Sequence, residues 1–184
     1  MPHGLRYLEM DDAQQLILTA IGPDQVGLVE KISEFISHRG GNIEDSKMAV
    51  FCGEFAVIVL IRGDAASLGL ISQQYQEIEK ETGLTIAFRT PLTRRLADSL
   101  PYRLTASCMD HPGVVHQISS VLREMGVNIE SMETKTYSAP MSGTPLFQLE
   151  ADLAVPAQTN IYELRECLEN LQRKENIDIE IGPR

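Results

Sequence analysis

The sequence predicts an α+β protein made of two copies of one small domain, each an antiparallel sheet with helices on one face. One observation is an internal repeat, in which a motif around Asp24 returns 86 residues later around Asp110. The other is the order of apolar patterns within each copy, where strand-like alternation gives way to helical spacing and back. A chain of 184 residues is long enough for two such domains, each with a modest core.

The repeat aligns polar residues and glycines as well as apolar positions. Asp24-Gln-Val-Gly-Leu-Val29 matches Asp110-His-Pro-Gly-Val-Val115. At the same offset and without a gap, Asn42-Ile43-Glu44 matches Asn128-Ile129-Glu130. Apolar spacing alone can align two amphipathic helices, but it would not also align Asp, Gly, Asn and Glu. The chain is therefore a tandem duplication.

Each copy has the same predicted order of elements: strand, helix, two strands, helix and a final strand. Strands are predicted over residues 15–21, 42–51, 54–62 and 84–88, and over residues 102–108, 128–137, 146–155 and 177–181. Helical stripes are formed by Leu28, Ile32, Phe35 and Ile36; by Leu68, Ile71, Tyr75 and Ile78; by Val114, Ile118, Val121, Leu122 and Met125; and by Ile161, Leu164, Leu168 and Leu171. Gly40 and Gly126 stand where a left-handed residue would end the first helix. The order βαββαβ is the ferredoxin-like arrangement.

The domain boundary is predicted where two prolines and an arginine pair interrupt the pattern. The first domain is assigned to residues 1–90, the linker to 91–101 and the second domain to 102–184. So short a linker favours packing of the two domains against one another. Either sheet can then be extended by the edge strand of the other unit, which would also protect both edges. We also expect a homo-oligomer, with a dimer as the simplest form.

Composition excludes several functional classes. The net charge is −10, and the single basic cluster is Arg89, Arg94 and Arg95, so direct nucleic-acid binding is not expected. No apolar run approaches the length of about 18 residues that a membrane span needs. Residues 1–12 lack the apolar segment of a secretory signal. We therefore expect a cytoplasmic protein that contacts neither membrane nor nucleic acid.

Metal and catalytic motifs are missing from the sequence. Cys52, Cys108 and Cys167 form neither a CxxC pair nor a disulfide framework, and we interpret them as buried small hydrophobic residues. His111 and His116 lie five residues apart, and no cysteine or acidic pair completes a metal set with them. Glu44 and Glu130 would form a carboxylate pair only if the two copies meet there. We predict no catalytic residue, no metal and no cofactor.

The loop between the first strand and the first helix is the best candidate binding site in both copies. Its glycine lets the backbone approach a ligand, and the helix start offers unpaired N–H groups that suit a carboxylate. Asn42 and Asn128, at the start of the second strand, both donate and accept, which suits an α-amino acid. Since the first two strands need not be far apart, we expect loop and asparagine of one copy to face a common site.

A purely structural explanation of these residues remains open. Asp24 and Asp110 are also suited to capping a helix, Pro112 is typical of a first turn, and the glycines of the loops are also explained as ordinary turn requirements. The asparagine of each Gly-x-Asn is also suited to a turn, because it tolerates a positive φ. Duplicated folds duplicate their turns, so repetition alone does not decide for function.

These motifs resemble those of the ACT domain. The resemblance covers residues 15–90 and 101–182, and it rests on Asp-x-x-Gly before the first helix and Gly-x-Asn-Ile at the second strand. ACT domains are typically amino-acid-binding regulatory modules. Two ACT domains carrying Gly40-Gly-Asn-Ile-Glu-Asp-Ser46 most resemble the group of glycine cleavage system transcriptional repressors. That resemblance implies a sensor of a glycine-like amino acid that modulates a transcriptional activator by protein contact.

Carried over by position, the resemblance implies a ligand site in each copy. Its members are Asp24, Gln25, Val26, Gly27, Leu28, Asn42 and Ile43, and Asp110, His111, Pro112, Gly113, Val114, Asn128 and Ile129. Val26 departs from the family pattern, since this loop commonly has proline there. The insertion at residues 138–144 is a candidate partner-contact surface. The alternative function is a ligand-free structural or dimerisation module for another protein.

Overall fold

The computed structural model describes residues 14–92 and 98–184 of the chain, which divides into the units Met1–Thr93 and Arg94–Arg184. His3 and the predicted arginine pair of the linker, Arg94 and Arg95, lie outside the described residues. In the second unit the first strand begins at Ser99, within the segment predicted as linker.

Each unit has the predicted order of elements, with one extra break in the first. The first unit contains β1 (Gln14–Pro23), α1 (Leu28–Ser37), β2 (Asn42–Phe51), β3 (Glu54–Gly63), α2 (Ala65–Gln73), α3 (Tyr75–Thr82) and β4 (Thr85–Arg89). The second contains β5 (Ser99–Met109), α4 (Val114–Glu124), β6 (Asn128–Ser138), β7 (Pro145–Pro156), α5 (Ile161–Glu175) and β8 (Asp178–Pro183). The strand orders are β2-β3-β1-β4 and β6-β7-β5-β8, with every neighbouring pair antiparallel. The predicted fold class is confirmed.

Each unit has its own apolar core between the sheet and the helices. Alternate residues of the central strand, such as Leu18 in β1 and Leu104 in β5, are fully buried. The predicted helical stripes supply the other side of each core, with Ile32 in α1 and Ile118 in α4 at its centre. Strand alternation therefore leaves the opposite side of each sheet without helices.

The first helix of each unit ends as the glycine pattern predicts. Gly40 and Gly126 are left-handed, with φ of 81° and 70°. The backbone N–H of the following residue, Gly41 or Val127, donates to a carbonyl of the last helical turn, at 3.1 Å to Ile36 and 2.8 Å to Leu122. This is the hydrogen bond that a left-handed stop makes possible.

One apolar stripe predicted a single second helix in the first unit, but the structure has two helices, α2 and α3, which meet at Gln74. Gln74 has φ −99° and ψ 10°, outside the helical range, and it flanks both α2 and α3. Gly69 weakens α2, and the Ser72 hydroxyl donates to the Gly69 carbonyl at 3.0 Å, in competition with the backbone ladder. The Gln74 side chain then accepts from Arg39 Nε at 2.8 Å, which fixes the junction beside the end of α1.

The prediction that all three cysteines are buried is wrong for Cys52. Cys52 and Gly53 are the two turn residues of the β2–β3 hairpin, with φ of 51° and 83°. A two-residue turn with positive φ at both positions matches the twist of the strands and projects its residues into solvent. Cys52 is therefore exposed, while Cys108 and Cys167 are half-buried and all three are free thiols.

Gly41→Ala is expected to destabilise the first unit by about 1–3 kcal/mol through overpacking. A Cβ at Gly41 would lie 2.7 Å from Ile71 Cδ1 and 2.9 Å from methyl groups of Ile36 and Ile61. The control is Gly69→Ala, in a helix with nothing within 4 Å of the added Cβ, and it should leave stability unchanged or raise it. Urea unfolding of the full chain checks both, and equal effects would contradict the packing argument.

Candidate functional site

The two predicted loops have the same backbone geometry. Gly27 precedes α1 with φ 96° and ψ 0°, and Gly113 precedes α4 with φ 101° and ψ −9°. The first hydrogen bonds of the helices run from Lys31 N to Gly27 O at 3.0 Å and from Gln117 N to Gly113 O at 2.9 Å. The three backbone N–H groups between each glycine and its donor thus have no partner inside the helix.

These helix-start amides are not capped by any side chain of the described residues. The cap residue itself is glycine, which has no side chain to offer. A Cβ built at Gly27 or Gly113 would meet nothing within 4 Å in the described part of the chain. These positions thus require glycine because their backbone is left-handed, a conformation that costs other residues about 1–2 kcal/mol. Crowding of the added Cβ is not the reason.

The explanation that the two aspartates cap the helices is wrong. Asp24 and Asp110 lie three residues before the glycines that occupy the cap positions. Their backbone N–H groups anchor the loops instead, donating to Gly53 O at 2.8 Å and to Pro145 O at 2.9 Å. Both aspartate side chains are exposed.

The remaining residues of the two loops differ in their environments. In the first loop Gln25 Nε2 donates to the Thr82 carbonyl at 3.1 Å, and Val26 is fully exposed. In the second, His111 Nδ1 lies 3.3 Å from the Pro112 carbonyl. Leu28 and Val114, the first helical residues, are buried in the cores, so only their backbone faces the loop.

The asparagines are strand residues and not turn residues. Asn42 begins β2 opposite Arg62, and Asn128 begins β6 opposite Ala154. Neither is among the positive-φ residues of the described chain, and both are exposed. The alternative that they serve as positive-φ turn residues is therefore wrong. Ile43 and Ile129, which follow them, pair with the core residues of the neighbouring strand and precede a β-bulge.

The prediction that loop and asparagine of one copy share a site is wrong. β3 lies between β1 and β2, and both of its neighbours run antiparallel to it. The Asp24 loop follows Pro23, which pairs with Glu54 at the start of β3, whereas Asn42 pairs with Arg62 at its end. Strands of this length separate the two by about 30 Å. The second unit repeats the arrangement, so each unit holds its loop and its asparagine at opposite ends.

The second loop lies beside a group of charged residues that the sequence patterns did not indicate. Hydrogen bonds from Lys174 and Gln117 hold the pKa of Glu175 below its usual range, and His111 adds a smaller charge effect. The hydrogen bond to Glu175 places Gln117 beside the carboxyl end of α5. Burial raises the pKa of the Cys108 thiol, and the Asp110 carboxylate raises it further. The thiol next to this loop is therefore uncharged at neutral pH.

A hollow of about 380 Å³ opens at the loop end of the second sheet. Met109, Tyr137 and Asp178 are among its lining residues, as are Cys108 and Phe147, which pair across β5 and β7. None of the predicted ligand-binding residues lines it. The helix-start amides of Gly113 and this hollow are thus separate features of the same end of the unit.

Residues 14–92 and 98–184 contain no cluster of three His, Cys, Asp or Glu side chains arranged to hold a metal ion. In the same residues no helix is long and apolar enough to cross a membrane.

Two ACT-domain models match the chain, one over residues 14–89 and the other over residues 102–136. Together they cover more than half of it, one match in each unit. The chain belongs to the ACT-domain family. Its two units are tandem ACT domains.

Curated relatives match the chain over most of its length or over part of it. The glycine cleavage system transcriptional repressor of Escherichia coli K12 is 23% identical over 166 residues, which is 89% of this chain and 87% of the relative. A UPF0237 protein of Methanopyrus kandleri is 31% identical over 72 residues, 38% of this chain and 80% of that protein.

Two solved structures share the fold over nearly the whole chain. An unknown protein from Galdieria sulphuraria has a TM-score of 0.82 at 29% identity and covers 94% of this chain and 99% of its own. A candidate glycine cleavage system transcriptional repressor has a TM-score of 0.67 at 18% identity and covers 92% and 96%. These matches show that the fold is shared over nearly the whole length of the chain.

In the native chain, iodoacetamide is expected to modify Cys52 first. Cys52 is exposed at its hairpin turn, whereas Cys108 and Cys167 are half-buried. Cys108 should react more slowly still at neutral pH, because burial raises its pKa and the thiolate is the reactive form. Peptide mass spectrometry over a time course measures the three rates. Cys52→Ser should remove the fast phase, and equal rates for all three thiols would contradict the assignment.

Proposed function

We propose that this protein is a cytoplasmic amino-acid-responsive regulator that senses glycine or a similarly small amino acid. The proposal rests on the pair of left-handed glycines, Gly27 and Gly113. No side chain of the described residues accepts a hydrogen bond from the backbone N–H groups of the helix starts that follow them. In this proposal the carboxylate of the amino acid binds those amides. Their N–H groups and the partial positive charge of the helix start favour an anion, and the open space beside each glycine admits it.

The ammonium group of the ligand has two candidate partners. Asp24 and Asp110 belong to the same loops as the amides and carry exposed carboxylates of the opposite charge. Asn42 and Asn128 lie at the far end of their own sheets, so an asparagine reaches a loop only if a different ACT domain supplies it. The first arrangement gives a site within one domain, and the second gives a site that needs two.

The regulatory output is proposed to be contact with a transcription regulator. The net charge of −10 disfavours direct DNA binding, and the Escherichia coli relative is called a transcriptional repressor. The insertion between β6 and β7 is the proposed contact surface, because Met141 at its tip is fully exposed. A ligand changes this contact only if its affinity differs between the partner-bound and free states.

Isothermal titration calorimetry of the full chain with glycine tests the ligand proposal, with the other common amino acids as comparisons. Glycine is expected to bind, and Gly27→Ala or Gly113→Ala should weaken binding at the altered loop by tenfold or more, on the order of 1.4 kcal/mol. The two single variants show which loop binds. If no amino acid gives a heat of binding and none raises the melting temperature of the protein, the result would instead favour the ligand-free structural module.

Substitutions of the ammonium partners distinguish a one-domain site from a two-domain site. Asp110→Asn should weaken glycine binding if the loop carboxylate holds the ammonium, whereas Asn42→Ala and Asn128→Ala should weaken it if an asparagine does. Asn170→Ala, at an exposed position of α5, is the control and should bind as the native chain does. Unchanged affinity in the three test variants would contradict both arrangements at the second loop.

A further inference from the structure

The two sheets differ on the face that carries no helices, here called the outer face. In β1, Leu18 and Ala20 are buried under the helices, so Ile17, Thr19 and Ile21 belong to the outer face. Around them the register places an apolar patch of Ile17, Ile21, Ala49, Ala56, Ile58, Leu60 and Ala87. Ile58 and Ile21 are 47% and 56% exposed. We call these seven residues the apolar patch.

The second unit has polar residues at all seven equivalent positions. They are Arg103, Ser107, Lys135, Gln148, Glu150, Asp152 and Glu180. Asp152 accepts from Arg103 at 3.0 and 2.9 Å, from Ser131 at 3.0 Å and from Arg184 at 3.2 Å. These hydrogen bonds, led by Arg103, hold the pKa of Asp152 below its usual range. The fold therefore does not require an apolar outer face, and the first unit's patch needs another explanation.

One row of the first unit's outer face has opposite charges at its ends, and Lys47 and Arg62 lie in the rows on either side of it. Asp45 of β2 pairs with Leu60, which pairs with Ile17, which pairs with Arg89 of β4. The row thus reads acidic, apolar, apolar, basic from one edge of the sheet to the other. Asp45 and Arg89 are both exposed. A two-fold rotation about an axis parallel to the strands exchanges the two ends of this row.

We propose that the outer face of the first unit binds the same face of a second copy of the chain, forming a face-to-face dimer. The two-fold axis lies parallel to the strands, so that β2 of one copy covers β4 of the other. Asp45 then faces the partner's Arg89, and Leu60 faces the partner's Ile17. Two antiparallel sheets packed in this way lie about 10 Å apart, within reach of these side chains. This surface is separate from the helix-start loops, and the proposal does not depend on ligand binding.

The other two-fold in the plane of the interface lies perpendicular to the strands and would place β2 on β2 of the second copy. Where this axis passes level with Lys47, two lysines face one another, and where it passes level with Ser46, Asp45 faces the partner's Lys47. We choose the axis parallel to the strands because it pairs Asp45 with Arg89 and also pairs the apolar Leu60 with Ile17. A double variant that regains affinity distinguishes the two axes, because only the parallel axis brings residues 45 and 89 together.

Sedimentation equilibrium of the full chain tests the proposal. The native protein is expected to sediment as a dimer of twice 20.4 kDa, and Ile58→Glu, which copies the equivalent Glu150 of the second unit, as a monomer of 20.4 kDa. The matched control is Leu70→Glu on α2, where the native leucine is 45% exposed but lies on a helix. Leu70→Glu should remain a dimer. Far-ultraviolet circular dichroism and thermal melting confirm that each variant is folded.

Charge reversal tests the geometry independently of the apolar contact. Asp45→Arg and Arg89→Asp should each weaken the dimer by about tenfold or more, because each places like charges opposite one another. The double variant restores the pairing with exchanged signs and should regain most of the native affinity. A native monomer at every concentration up to the solubility limit would overturn the proposal. So would a folded Ile58→Glu variant that remains a dimer, or a double variant weaker than both single ones.

Discussion

The antiparallel pairing of the first and third strands in each unit decides where every candidate functional group lies. Because β1 ends where β3 begins, the loop after β1 is held against the β2–β3 hairpin by the bond from Asp24 N to Gly53 O. The same pairing sends β2 to the outer edge of the sheet and its first residue, Asn42, to the opposite end. The helix-start amides and the edge-strand asparagine of one domain therefore lie at opposite ends of its sheet.

Most of the fold could be predicted because the relevant information is local. The bounds of β2, Asn42–Phe51, follow from its pairing with the next strand across the Cys52-Gly53 turn, and the helix stops follow from Gly40 and Gly126. The break at Gln74 was missed because the apolar stripe continues through it, while the cause is a side-chain hydrogen bond at Ser72 and the tie to Arg39. A periodic pattern records which face is buried and does not record such competition for backbone groups.

The candidate site was predictable in its residues and not in its geometry. Repetition identified the glycine loops, and their left-handed backbone follows from residue type. The order of strands in the sheet cannot be predicted from such local patterns, because long-range pairing places β3 between β1 and β2. The exposure of Cys52 was missed because residue type alone does not tell where a small apolar residue lies. Such a residue is usually buried in a core, but at a two-residue hairpin turn it is exposed.

Duplication preserved the core and the loops of this domain and changed its outer face. β1 carries both features in the first unit, since Ile17 and Ile21 belong to the apolar patch and Pro23 leads directly into the Asp24 loop. Ligand binding at the loop and association through the patch would thus act on one strand. Any coupling between them must be reciprocal: a ligand that favours the dimer must itself bind the dimer more tightly, by the same factor. In the second unit the equivalent strand ends in the same loop but carries Arg103 within a hydrogen-bonded polar face. Under the two proposals its loop would lack that coupling, and the two loops of one chain would then respond differently to one amino acid.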